Sequence, residues 1–125
     1  MYRITPHRNA NLIEVELGGM MSVDEVADYM AALRQAFVAN HFRAGYRILI
    51  DVTACPIQSQ EMVEGMRTHM AGMPKASRIA MVTGSSLARM QVRRLMTQDY
   101  ARVFATPEEA RVWLASIEQS DADAV

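Results

Sequence analysis

The run Arg47-Ile48-Leu49-Ile50-Asp51-Val52 constrains this chain more than any other segment. Apolar side chains at consecutive positions leave a strand no wet face. Such a strand lies inside a sheet with both sides covered, the situation of parallel sheets flanked by helices. A second run of the same kind, Arg78 to Thr83 (RIAMVT), needs the same cover. Parallel neighbours must be joined by a crossover of roughly a dozen residues or more. Between the two runs, Ser59 to Met73 places Met62, Met66, Met70 and Met73 on one helical face and stops against Gly72 and Pro74, so the crossover reads as a helix.

Upstream, Tyr2 to His7 alternates, with Tyr2, Ile4 and Pro6 on one side and Arg3, Thr5 and His7 on the other. That is the period of a half-buried strand, and the proline, which cannot donate to a ladder, assigns it to an edge. The turn-prone Arg8-Asn9-Ala10-Asn11 leads into Leu12 to Leu17, with Ile13, Val15 and Leu17 inward and Glu14 and Glu16 outward. So short a loop implies an antiparallel hairpin. Gly18 and Gly19 break this strand, and Ser22-Val23-Asp24-Glu25 has the form of a capping box, in which the Ser and Glu side chains satisfy free N–H groups at a helix start. Val23, Val26, Met30, Leu33 and Phe37 give that helix its apolar stripe, which fades at Asn40-His41 before Gly45.

Downstream, Gly84-Ser85-Ser86 opens a third helix to about Thr97, and Tyr100 to Phe104 gives a last short strand. Thr106-Pro107-Glu108-Glu109 starts a final helix with a capping threonine, a proline in the first turn and acids at the positive end of the dipole. Ala110, Trp113, Leu114 and Ile117 form its buried stripe. The predicted class is α/β: one domain over residues 1–117, in the order ββαβαβαβα, with a mixed sheet formed by an antiparallel N-terminal hairpin and parallel strands. Residues 118–125 form an acidic tail expected to fray.

Composition narrows the function classes. A net charge of −1 in 125 residues gives no bulk attraction to nucleic acid or to an anionic membrane. No apolar run approaches the roughly 18 to 20 residues of a membrane span, and MYRITPHRNA lacks the apolar core of an export signal, so the chain is expected in the cytoplasm. Cys55 is the single cysteine and has no internal disulfide partner. Arg outnumbers Lys twelve to one, a bias that a GC-rich genome explains.

In open sheets of this kind, ligands collect beyond the carboxyl ends of the parallel strands. Those ends carry Asp51 and Thr53 after the first buried strand, and Thr83, Gly84, Ser85 and Ser86 after the second, with Arg89 one turn further on. Two readings follow. Hydroxyls, helix N–H groups and a guanidinium can cradle a phosphate or carboxylate, or Ser85 or Ser86 simply caps the helix while Asp51 bonds turn amides. Nucleophilic catalysis needs a Ser or Cys beside an oriented His. His7, His41 and His69 fall on an edge strand, a helix end and a helix interior, without metal-pair spacing, and no basic neighbour activates Cys55. Glycine patterns for nucleotide phosphates are absent as well. No catalytic residue, metal site or cofactor is therefore expected. Arg89 and Arg93 share a helix face at a spacing where like charges repel, and no aromatic interleaving supports nucleic-acid stacking. The methionine stripe is either core or an adaptable apolar groove, in which Phe37, Met62, Met66 and Met70 would line a site for a lipid-like ligand.

Three stretches together resemble the SpoIIAA-like branch of the STAS domains: RILIDVT (47–53), RIAMVTGS (78–85) and ARVFATPEEARVWL (101–114). The founding members of that family are anti-sigma-factor antagonists, and the resemblance implies a regulatory protein-interaction role. It also implies a serine, at the start of the helix after the Asp-x-Ser strand, that a partner kinase phosphorylates. Here the equivalent segment falls on Ser59, Gln60, Glu61 and Met62, so Gln or Glu stands at the acceptor position and Ser59 is the only hydroxyl nearby. The branch is similar to Sec14-type lipid-transfer domains, which implies the alternative of a small apolar ligand with transient membrane association. A homodimer is expected from the exposed edge strand.

Overall fold

The alternating segments become one mixed sheet, and the computed structural model describes it over residues 1–55, 75–95 and 100–123. Its strands are β1 (Tyr2–His7), β2 (Leu12–Gly18), β3 (Arg47–Ala54), β4 (Arg78–Val82) and β5 (Ala101–Phe104). The helices are α1 (Val23–Ala39), α2 (Ser86–Leu95) and α3 (Pro107–Asp123). The crossover predicted over Ser59 to Met73, with Met62, Met66 and Met70, lies outside the described residues, as does the expected end of the third helix at Thr97.

Among the described residues the strands stand in chain order, β1-β2-β3-β4-β5. β1 pairs antiparallel with β2, from Tyr2↔Leu17 to His7↔Leu12, and every later pair is parallel. The turn between β1 and β2 is a short 3-10 segment, Arg8–Ala10, closed by Asn11 at φ 51°. Asparagine accepts this left-handed conformation more readily than most residues. Pro6 sits in the edge strand, as its missing donor requires.

Helices cover both faces of the sheet. On one face Ile13, Val15 and Leu17 of β2 and Ile48 and Ile50 of β3 pack with Val26, Tyr29, Met30 and Leu33 of α1. On the other, Leu49, Ala80 and Val82 meet Ala110, Trp113 and Leu114 of α3. This is why β3 is apolar on both sides. Each fully buried aliphatic side chain contributes about 1.5–3 kcal/mol. The capping box forms as expected: Ser22 Oγ accepts from Glu25 N at 3.2 Å, and Ser22 N donates to the Glu25 carboxylate at 3.4 Å. Thr106 Oγ1 caps α3 by accepting from Glu109 N at 3.3 Å.

Two details depart from the sequence reading. Val23, assigned to the buried stripe of α1, is 66% exposed, and Tyr29 fills the core in its stead at 1%. Glu14, read as solvent-facing, lies under α3, where Arg111 reaches it at 2.9 Å. The backbone of α3 is helical from Pro107 to Asp123.

Candidate binding surface at the strand ends

Because β2 to β5 are parallel, their carboxyl ends share one edge of the sheet. Asp51 and Thr53 are near the end of β3. The Asp51 carboxylate turns back on its own strand: Oδ1 accepts from Thr53 N at 2.9 Å and from Thr53 Oγ1 at 2.6 Å. This local bond fixes the chain as it leaves the sheet. Gly84 lies against the same threonine, with a Cβ on it falling 3.8 Å from Thr53 Cγ2.

Thr83, Ser86 and Arg89 form a second local set. Thr83 is buried, and its N–H donates to Phe104 O at 3.0 Å. Arg89 Nη1 donates to Thr83 O at 3.2 Å and Nη2 to Ser86 Oγ at 3.3 Å, so this guanidinium fastens the first turn of α2 to β4. Ser85 O accepts from Arg89 N at 2.9 Å, which places Ser85 at the N-cap position just before α2. The predicted polar residues are thus on one sheet edge, but they engage one another. Ser59 lies outside the described residues.

Asp51 also lines a shallow groove on the α3 side with Arg3, Thr5, Glu14, Glu16 and Arg111. Glu14 accepts from Arg111 and lies 3.2 Å from His7 Nε2. The hydrogen bond and charge of Glu14 raise the affinity of the Arg111 guanidinium for its proton. Sequence reasoning missed this pair, because the partners lie 97 positions apart. Among the described residues, no group of acids, histidines and cysteine is arranged to hold a metal ion.

The apolar candidates divide. Phe37 is half-buried on the α1 side and touches Phe42 and Tyr46, at ring-centroid distances of 5.9 and 5.0 Å. Met62, Met66 and Met70 lie outside the described residues. In the same core the Tyr29 hydroxyl is buried with no hydrogen-bond partner among the described residues, and burial, reinforced by nearby Tyr46, pushes its pKa upward. Cys55, just past β3, has its thiol pKa raised mainly by burial, with Asp51 adding to the effect.

Exposed apolar side chains lie beside the end of β2. Met20 is 64% exposed and Val23 66%, and they flank the first turn of α1. Met1 and Tyr2 adjoin them: the Met1 amine bonds Gly18 O and the Glu25 carboxylate, and the Tyr2 ring lies 5.8 Å from that of Tyr29 in a tilted arrangement. A Cβ on Gly18 would lie 2.7 Å from Met1 Cε, the far end of a flexible side chain that can shift to admit it. Nothing in the hydropathy pattern singled out Met20, whose exposure depends on how the loop leaves β2.

The fold recurs in solved structures. One is an anti-sigma factor antagonist from Mycobacterium paratuberculosis, with TM-score 0.67 and 10% identity over 92% of this chain and 93% of that one. Another is an uncharacterised protein with a SpoIIAA-like fold from Shewanella loihica PV-4, with TM-score 0.67 and 16% identity over 91% of this chain and 92% of that one. No curated protein matches the chain. The SpoIIAA-like family model matches residues 12–115, from the start of β2 into α3, and the chain belongs to that family.

Proposed function

We propose that this chain is a non-catalytic regulatory module that binds a protein partner at the carboxyl ends of its parallel strands. The observation that carries the reading is the exposed apolar patch of Met1, Tyr2, Met20 and Val23 beside strand ends whose polar groups already engage one another. Contiguous exposed apolar surface marks interaction sites. The similarity in fold to an anti-sigma factor antagonist supports a regulatory setting. In this reading the module works without the phosphorylatable serine of such antagonists, since Gln60 and Glu61 stand where the acceptor is expected. It acts in the cytoplasm, and two copies pair along β1, whose outer side is the sheet edge. Among the described residues, no helix is long and apolar enough to cross a membrane.

Photo-crosslinking in cells tests the proposal. A crosslinker at Met20 should give a discrete protein adduct that Val23→Glu abolishes, while one at Val38, equally exposed on the far end of α1, should give none. The same smear of adducts from both positions refutes the reading.

A second reading has one observation in its favour. The Tyr29 hydroxyl, without a hydrogen-bond partner among the described residues in an otherwise apolar core that Phe37 adjoins, suits the single polar group of a lipid-like ligand held against α1, with Met62, Met66 and Met70, which lie outside the described residues, as its proposed further contacts. Native mass spectrometry of freshly purified protein should then show a bound mass. A clean apo spectrum, with no rise in melting temperature on adding fatty acid, rules it out, because a tight ligand stabilises by mass action.

A further inference from the structure

We infer that the outward face of α2 docks an acidic amphipathic segment of a protein partner, an inference that rests on the protein-interaction reading above and names the chemistry of the partner. In ten residues α2 carries Arg89, Arg93 and Arg94 and no acid, within a chain whose net charge is −1. The positive charge is therefore local. The three arginines are not equivalent. Arg89 is turned back onto Thr83 O and Ser86 Oγ and pins the first turn. Arg93 and Arg94 are exposed, and neither has an ion pair among the described residues.

Leu87 is 61% exposed and Met90 52%. Positions 87, 90 and 94 follow the three-then-four step of one helical face, so Leu87, Met90 and Arg94 form a stripe with Arg93 on its flank. A merely solvated face has no need of Leu and Met. Protein interfaces are enriched in Met and Arg, and the guanidinium fork pairs two-to-two with a carboxylate.

Other anionic surfaces fit this face less well. A nucleic-acid backbone would meet the charge but leave Leu87 and Met90 wet, and α2 has no aromatic ring on which a base can stack. A bilayer calls for a broad apolar face that sinks into the acyl boundary. Two apolar side chains on a helix pinned by Arg89 do not supply it. Carboxylates spaced around an apolar stripe match both features of α2 at once.

Fluorescence anisotropy with the full chain and a labelled synthetic peptide, with Glu at helix-spaced positions around a Leu stripe, tests the inference. Saturable binding is expected to weaken about tenfold for each of Arg93→Ala and Arg94→Ala, the scale of a lost charge-assisted hydrogen bond. It should weaken as much for Leu87→Ser with Met90→Ser. All four sites are exposed, and unchanged melting curves check that the variants fold. No saturable binding, or binding that these substitutions leave intact, overturns the inference. So does equal or tighter arginine-dependent binding to phosphatidylserine vesicles or to a DNA duplex. No saturable peptide binding by the wild-type chain, beside a discrete adduct at Met20, overturns docking on α2 and leaves the protein-interaction reading standing.

Discussion

Tyr29 is 1% exposed in the α1 side of the core, and its hydroxyl has no hydrogen-bond partner among the described residues. Tyr29→Phe therefore removes a group that folding dehydrates without compensation. Such a group costs about 1–3 kcal/mol. Against this stand the few dispersion contacts of one oxygen, at about 0.1–0.2 kcal/mol each. A net gain of about 1–2 kcal/mol is expected at neutral pH, which raises the melting temperature of a domain this size by roughly 3–8 °C.

A second signature comes at high pH. Burial holds the Tyr29 phenol above its ordinary value of 10.0, so the folded chain keeps this proton while the unfolded chain releases it. The native state then binds more protons than the unfolded one, and stability falls as pH rises past about 10. By about pH 11 the wild-type protein loses roughly 1.4 kcal/mol that Tyr29→Phe does not. Tyr46, also raised by burial, acts with the same sign in both proteins and cancels in the difference. Urea unfolding followed by the fluorescence of Trp113 and by far-UV circular dichroism gives both numbers, provided the slope m is unchanged. A variant destabilised by about 1 kcal/mol or more at neutral pH refutes the reasoning, because the hydroxyl would then have a partner in solution.

Ser22→Ala removes the capping box of α1 and should cost about 1 kcal/mol in the same urea assay; an unchanged midpoint would mean that the cap does not hold in solution. Arg47 is 7% exposed and donates to the carbonyls of Leu114 and Ala10, so Arg47→Met leaves buried acceptors unpaired and should cost about 2–4 kcal/mol; a loss under about 0.5 kcal/mol would contradict that role. The raised Cys55 thiol predicts iodoacetamide alkylation slower than that of free cysteine at neutral pH, with a rate still climbing past the ordinary value of 9.0, where an unshifted thiol begins to level off, and a rate profile equal to that of the free amino acid would refute it. Inorganic phosphate at millimolar concentration should leave the melting temperature unchanged, and a concentration-dependent rise would restore the anion-pocket reading of the strand ends.

What was legible in the sequence is what depends on near neighbours along the chain. The alternation of β2, the Ser22 and Glu25 pair and the doubly apolar β3 each encode a structure within one element. The ties from Asp51 to Thr53 and from Arg89 to Thr83 are local too, which is why residue type and spacing brought these side chains forward as candidates. Strand order is a different kind of fact. It depends on how each crossover returns to the sheet, and side-chain alternation does not record that. Long-range partners were hidden for the same reason: Arg47 meets Leu114 across 67 positions. The exchange of Val23 for Tyr29 has a local cause in two parts. The first helical residue projects past the sheet it would pack on, and a phenol scores as polar although its ring fills the core.

The energetics of the strand ends favour a surface over a small anion. To bind phosphate, Asp51 and Arg89 would have to be drawn from bonds they already make, and each such bond is worth about 0.5–1.5 kcal/mol net. Phosphate would also approach the Asp51 carboxylate, which repels it. Covering Met20 and Val23 breaks no bond and gains up to about 1.5–3 kcal/mol for each side chain withdrawn from water. A partner that lays apolar side chains over this patch thus gains from the first contact, while the polar residues beneath hold the strand ends in place. In the proposed reading the polar constellation that first draws attention in the sequence serves as scaffold, and the binding energy lies in the apolar residues around it.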